Sequence, residues 1–97
     1  MATSTTLEDV VSNYPVHPGS VLAEELAARG MTQKQLAEAM HRPAKTVNEV
    51  VNGKKGVTAE TALDLEQVLG ITAQSWLNLQ SAYELTVARQ RRAARPA

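Results

Sequence analysis

Apolar residues along the chain recur at helical rather than strand spacing. Val21, Leu22 and Leu26 share one helical face; so do Leu36, Ala37 and Met40, then Val47, Val50 and Val51. Ala62, Leu65 and Leu69 form a fourth group, and Trp76, Leu79, Tyr83 and Val87 a fifth. The residues between these groups mark their ends. His17-Pro18-Gly19 opens the first helix, because proline suits a first turn whose amides lack partners anyway. Gly30 closes it. Thr32, with Gln35 three residues on, has the spacing of a capping box. His41-Arg42-Pro43 separates the second group from the third, and Gly53 ends the third. Thr58 and Gly70 bracket the fourth, and Thr72 starts the fifth. No run alternates with period two, and no hairpin turn joins strand-like runs. The pattern predicts an all-α fold of five helices, at about 18–29, 33–40, 44–52, 59–69 and 73–90. A flexible polar arm is expected over 1–16, one domain over 17–90, and a basic, disordered tail over 91–97.

The chain's 97 residues suffice for one compact core and not for two. There is no cysteine, hence neither a disulfide framework nor a thiolate metal site. No apolar run is long enough to span a bilayer, and the start, MATSTTLEDVV, lacks the basic and apolar regions of a signal peptide. A cytoplasmic protein is the expectation.

Charge changes the picture more than composition does. The formal net charge is zero, but the charges are sorted. Residues 32–56 carry Lys34, Arg42, Lys45, Lys54 and Lys55 against only Glu38 and Glu49, and the tail carries Arg89, Arg91, Arg92 and Arg95 with no acid. The acids collect elsewhere, as Glu8, Asp9, Glu24 and Glu25 and then Glu60, Asp64, Glu66 and Glu84. Phosphate binding responds to local potential, so a neutral chain with a basic middle can still bind nucleic acid.

That middle, TQKQLAEAMHRPAKTVNEVVNG, has the form of a helix-turn-helix: a short helix, a break of about three residues and a second short helix. Ala37 is small at the position where two steeply crossing helices approach most closely. Leu36, Met40, Val47 and Val50 supply a shared core. The DNA-facing candidates on the third helix are then Ala44, Lys45, Thr46, Asn48, Glu49 and Asn52. Lysine can donate to guanine or phosphate, asparagine can pair bidentately with adenine, and glutamate can accept from cytosine. Gln33 starts the second helix, where it can join backbone amides in holding a phosphate. Lys54 and Lys55 follow the reading helix and are placed to touch the DNA backbone.

Three blocks carry a family resemblance: HPGSVLAEELAARGMTQKQLAEAM, TVNEVVNGKKGVTAETALDLEQVLG and SWLNLQSAYEL, within residues 17–85. The chain resembles the phage-repressor-like (Xre-type) helix-turn-helix superfamily, and more narrowly the HigA-type antitoxins of bacterial toxin–antitoxin modules. The resemblance implies a five-helix lambda-repressor-like DNA-binding domain with a long C-terminal helix. It implies a cytoplasmic homodimer that represses its own operon at an inverted repeat in double-stranded DNA. It also implies neutralisation of a HigB- or RelE-like toxin, a ribosome-dependent mRNA endonuclease. This chain departs from the family at the tight turn, where His41 replaces the usual glycine and Arg42 an apolar residue. Histidine tolerates a left-handed backbone better than most residues, at some cost.

Three further assignments follow. Trp76, Leu79, Gln80 and Tyr83 form a stripe over two turns of the fifth helix; part of it is expected to cross a two-fold axis, the alternative being that Trp76 lies wholly in the monomer core. A basic toxin calls for acidic and apolar groups, offered by Leu7, Glu8, Asp9, Val10 and Val11 in the arm or by Glu24 and Glu25 on the first helix. The arginine tail could clamp DNA, meet an acidic partner or be disordered. An enzyme is the first rival class. His17 and His41 lie in different loops with no serine, carboxylate pair or phosphate loop arranged around either. No cofactor, metal, membrane or small-molecule substrate is expected. A pure interaction module is the second rival class, and the runner-up reading is a stand-alone Xre-type repressor without a toxin partner.

Overall fold

A computed structural model describes residues 14–96. Among them are five helices and no strand: α1 (Pro18–Arg29), α2 (Gln33–Met40), α3 (Ala44–Val51), α4 (Ala59–Leu69) and α5 (Ala73–Ala94). Helix α3 packs on α2 and α1, α4 packs on α2, and α5 packs on α4 and α1. No helix among the described residues is long and apolar enough to cross a membrane.

Local chemistry sets each boundary. The Thr32 hydroxyl accepts from the Gln35 amide (3.0 Å), and the Gln35 side chain accepts from the Thr32 amide (2.9 Å). This completes the expected capping box. Thr58 and Thr72 cap α4 and α5 in the same way, accepting from Thr61 and Ser75. Before each of these threonines stands an apolar residue, Met31, Val57 or Ile71. Five residues further on comes Leu36, Ala62 or Trp76. This is the spacing of a hydrophobic staple, which fixes the angle at which a chain enters a helix. All six side chains belong to or pack against the core.

The core joins Leu22 and Leu26 of α1, Leu36, Ala37 and Met40 of α2, Val47 and Val50 of α3, and Ala62, Leu65 and Leu69 of α4. Trp76 from α5 completes it. Besides Pro18 and Gly19 in the first turn of α1, two buried residues lie outside the apolar pattern read from the sequence. Val57 sits in a loop, and Thr86 satisfies its hydroxyl by donating to the Ala82 carbonyl at 2.9 Å.

Two boundaries differ from expectation. Helix α3 ends one residue early, with Asn52 as its cap. Helix α5 runs to Ala94 rather than 90, so Arg91 and Arg92 are helical and not part of a disordered tail. The run TVARQRRAA holds good helix formers and no glycine or proline. Its arginines also stand at the negative end of the helix dipole. Of the expected arm, residues 1–13 lie outside the described residues, while Tyr14 and Val16 line a groove with α5.

Candidate nucleic-acid interface

Helices α2 and α3 make the expected helix-turn-helix. The turn between them rests on His41, whose backbone is left-handed at φ 57° and ψ 41°. It is the sole non-glycine residue with positive φ among those described. Arg42, the next residue of the turn, points across to α4. Its guanidinium meets the Asp64 carboxylate at 2.7 Å and Glu60 at 3.8 Å. An apolar residue here would pack; the arginine instead ties the turn to α4 by charge. The residue types carried that signal, an arginine in the turn and two acids one turn apart on α4, but not their meeting in space.

Around α3, at about 100° per residue, Ala44, Lys45, Asn48 and Asn52 fall in one arc, and all four are exposed. Asn52 donates to Asn48 Oδ1 at 3.1 Å, and Asn48 donates to Gln33 Oε1 at 3.2 Å. The three side chains thus form a ladder of amides running from the C-terminal end of α3 to the first residue of α2. Each bond uses one donor and one acceptor and leaves others unused, since an amide holds two N–H groups and two lone pairs. The ladder fixes which way the Asn48 amide points, which is what bidentate recognition of a base requires.

The remaining sequence candidates divide. Lys54 is exposed beyond the helix end. Lys55 is exposed too, but its ammonium meets Glu49 at 3.5 Å, and the Glu49 carbonyl accepts from the Lys54 and Lys55 amides. Glu49 therefore braces the basic loop and is half-buried at the edge of the reading arc. Thr46 is not brought onto that arc. It lies on the opposite side of α3, in a groove of about 440 Å³ shared with Arg42, Thr58 and Thr61.

The expected dimer stripe is corrected in two places. Trp76 is completely buried in the core and offers no surface to a partner. Its Nε1–H has no hydrogen-bond partner among the described residues. Gln80 is occupied within the protomer, accepting from the Val57 amide at 2.7 Å and donating to Glu84 at 2.9 Å. Leu79 and Tyr83 stay half-exposed and line a groove of about 210 Å³ with Tyr14, Val16, Ala82 and Thr86. Of the acidic candidates, Glu24 is exposed, whereas Glu25 is bound to Arg29 at 3.3 Å. Arg29 also donates to the Leu69 carbonyl at 2.8 Å, closing the end of α4. Leu7, Glu8, Asp9, Val10 and Val11 lie outside the described residues.

His17 joins the start of α1 to α5. Its Nδ1 accepts from the Gly19 amide at 2.9 Å, capping α1, and its ring meets Tyr83 edge-on at 4.8 Å. Burial holds its pKa below the ordinary 6.5, and only a neutral ring can accept at Nδ1. A lowered folded-state pKa contributes stability that is fully present above 6.5 and is lost as pH falls through the folded value. Thermal melts should therefore show a lower Tm at pH 5 than at pH 7. His17→Asn, which can cap but not titrate, should shrink the difference. An equal pH dependence in that variant would show that His17 contributes none of it.

Comparison with known proteins fits this geometry. A helix-turn-helix family model matches residues 22–76. The antitoxin HigA-1 of Vibrio cholerae is 44% identical over 79 residues, covering 79% of this chain and 73% of that protein. An HTH-type transcriptional regulator of Escherichia coli, YddM, is 35% identical over 78 residues, covering 80% and 82%. Among solved structures, the Pseudomonas aeruginosa antitoxin HigA with the higBA promoter superposes with a TM-score of 0.79 at 36% identity, over 82% of this chain and 88% of that one. With its capped helices, its reading arc and these relatives, the chain belongs to the HigA-type antitoxins of the helix-turn-helix superfamily.

Proposed function

We propose that the protein is the antitoxin of a bacterial toxin–antitoxin module. It acts in the cytoplasm as a dimeric autorepressor and as the inhibitor of a HigB- or RelE-like mRNA endonuclease. The observation that carries the DNA half is the exposed Gln33–Asn48–Asn52 ladder beside the basic Lys54-Lys55 loop. The antitoxin solved with its promoter shares this fold at 36% identity. The protein's part is binding rather than catalysis: positioning amides against base edges and ammonium groups against phosphates. The test is binding of the purified protein to a duplex spanning the region upstream of its own gene, with a scrambled duplex as control. Equal affinity for both would reject operator recognition. A stand-alone repressor is the second reading, favoured by the relative described as a transcriptional regulator. Expressing the adjacent reading frame with and without this chain separates the two: an antitoxin restores growth, and a stand-alone repressor does not.

The dimer forms through the groove of Tyr14, Val16, Leu79, Ala82 and Tyr83, where Tyr14 is 67% and Val16 47% exposed. Contiguous apolar surface of this kind marks an association site. Tyr83→Glu should leave an unpaired charge in the seam and yield folded monomers. Ala82→Glu should do the same without touching His17, and sedimentation of either variant as an intact dimer would reject the assignment.

The toxin-binding surface lies either in the arm, at Leu7, Glu8, Asp9, Val10 and Val11, or on α1, where Glu24 is the freer carboxylate. Deleting residues 1–13 should leave operator binding intact and weaken toxin binding in calorimetry. Unchanged toxin affinity would move the site to α1.

A further inference from the structure

Helix α5 outruns the core it serves. Thr86 is its last buried residue, yet the helix continues to Ala94, a projection of about 12 Å at 1.5 Å per residue. This projection carries Arg89, Arg91 and Arg92, with Arg95 at its cap. All four are exposed, and none forms an ion pair among the described residues. Acids are available for pairing elsewhere in the fold, and Arg29 and Arg42 use them. The projecting arginines are left as uncompensated positive charge.

Their direction can be read from the residues one turn earlier. Gln80 is bonded to the Val57 amide and to Glu84. Gln80 and Glu84 line the same groove as Lys55 and Gly56. This side of α5 therefore faces the loop that follows the reading helix. At 3.6 residues per turn, Arg91 and Arg95 lie within about 20° of Glu84 around the helix, whereas Arg89 lies about 140° away. Arg91 and Arg95 thus continue, beyond the body of the domain, the side of α5 that faces Lys55 and Gly56.

We propose that the C-terminal turns of α5 form a second DNA-backbone contact, in which Arg91 and Arg95 bind phosphates outside those reached by α2, α3 and the Lys54-Lys55 loop. The ligand is the phosphodiester backbone, argued from charge complementarity and from continuity with the lysine loop. Guanidinium suits it because its fork of N–H donors matches a phosphate and its charge is permanent. The inference rests on the DNA-binding reading above and extends that interface; it adds affinity without sequence preference.

The test uses the full chain and duplexes centred on the upstream region of its own gene, in a short form and in a form lengthened by half a helical turn on each side. Arg91→Gln/Arg95→Gln removes two phosphate contacts per protomer, four per dimer. The slope of log affinity against log salt should fall by about three to four units, and affinity for the long duplex should fall roughly tenfold to several hundredfold. Binding to the short duplex should change less. Arg89→Gln, on the other side of the helix, should behave as wild type. Unchanged slope and affinity in the double variant, with wild type still binding, would overturn this contact and leave the DNA-binding reading standing. Failure of wild type to bind either duplex would overturn both. Loss of the dimer in the double variant, with unchanged salt slope, would assign the arginines to a protein partner and overturn the proposal.

Discussion

Replacing Gly19 by alanine should destabilise the domain by about 3 kcal/mol, near the upper end of what overpacking a well-filled site usually costs. Gly19 stands in the first turn of α1, directly against the last turn of α3. A Cβ there would collide with the Val50 carbonyl oxygen and lie 2.8 Å from the Val50 carbonyl carbon and 3.0 Å from His17 Nδ1. The obstacle is backbone on one side and the capping ring on the other, so no flexible side chain can swing away. That carbonyl also accepts from the Gly53 amide at 3.0 Å, so pushing it aside disturbs the turn leading to Lys54. Small domains have a total stability of about 5–15 kcal/mol, and a loss of this size should lower Tm by at least 12 °C or so. Gly30→Ala is the matched comparison. Gly30 has φ +64° with nothing within 4 Å of the added carbon, so the change should cost only the left-handed strain, about 1–2 kcal/mol. Calorimetric melts of the two variants check the order. A Gly19→Ala protein melting within a few degrees of wild type would mean that α1 and α3 can separate at little cost, and that the close approach is not what positions the reading helix.

Much of the fold was legible because its signals are local. A threonine cap needs only its own hydroxyl and an amide three residues on, and the starts of α2, α4 and α5 were each read from such a threonine. Likewise Gly30 and Gly70 are left-handed where a helix has to stop. Contacts between distant elements left weaker traces. The burial of Trp76 depends on where α5 crosses the core, and helical spacing alone could not separate a core tryptophan from one on a seam. Gln80 looked like a polar member of an exposed stripe because its partner, the Val57 amide, lies 23 residues away in a loop. Thr46 was grouped with its neighbours on α3, although an offset of two residues turns a side chain about 200° around a helix. The asparagines and lysines of the reading arc were recognisable by type. That Asn48 is held between Gln33 and Asn52 was not, since the first of these bonds spans two helices.

Asn48→Ala should cost about 1–3 kcal/mol at each half-site through loss of one bidentate base contact, hence about 2–6 kcal/mol for a dimer on its inverted repeat. The ladder makes this more than the loss of a generic polar group. Asn48 Nδ2 gives one hydrogen to Gln33, and Oδ1 accepts one from Asn52. What remains on the amide is one N–H and one lone pair, the donor and the acceptor that adenine N7 and N6 ask for. Because the flip of the amide is settled before DNA arrives, little side-chain entropy is lost on contact. Alanine removes both and leaves the Gln33 and Asn52 amides without the partner that orients them, so the effect should exceed that of Lys45→Ala, whose side chain is exposed. The loss should be specific: binding to random duplex should be unchanged, and preference at one symmetric pair of base positions should relax. Lys54→Ala supplies the contrast. An exposed lysine over phosphate should weaken every sequence alike and lower the salt slope of the dimer by about two units. Competition against operators substituted at each position, at two salt concentrations, reads both effects. If Asn48→Ala weakens operator and random DNA equally, the amide ladder grips the backbone and sequence is read elsewhere on α3, with Lys45 and Asn52 the next side chains to test.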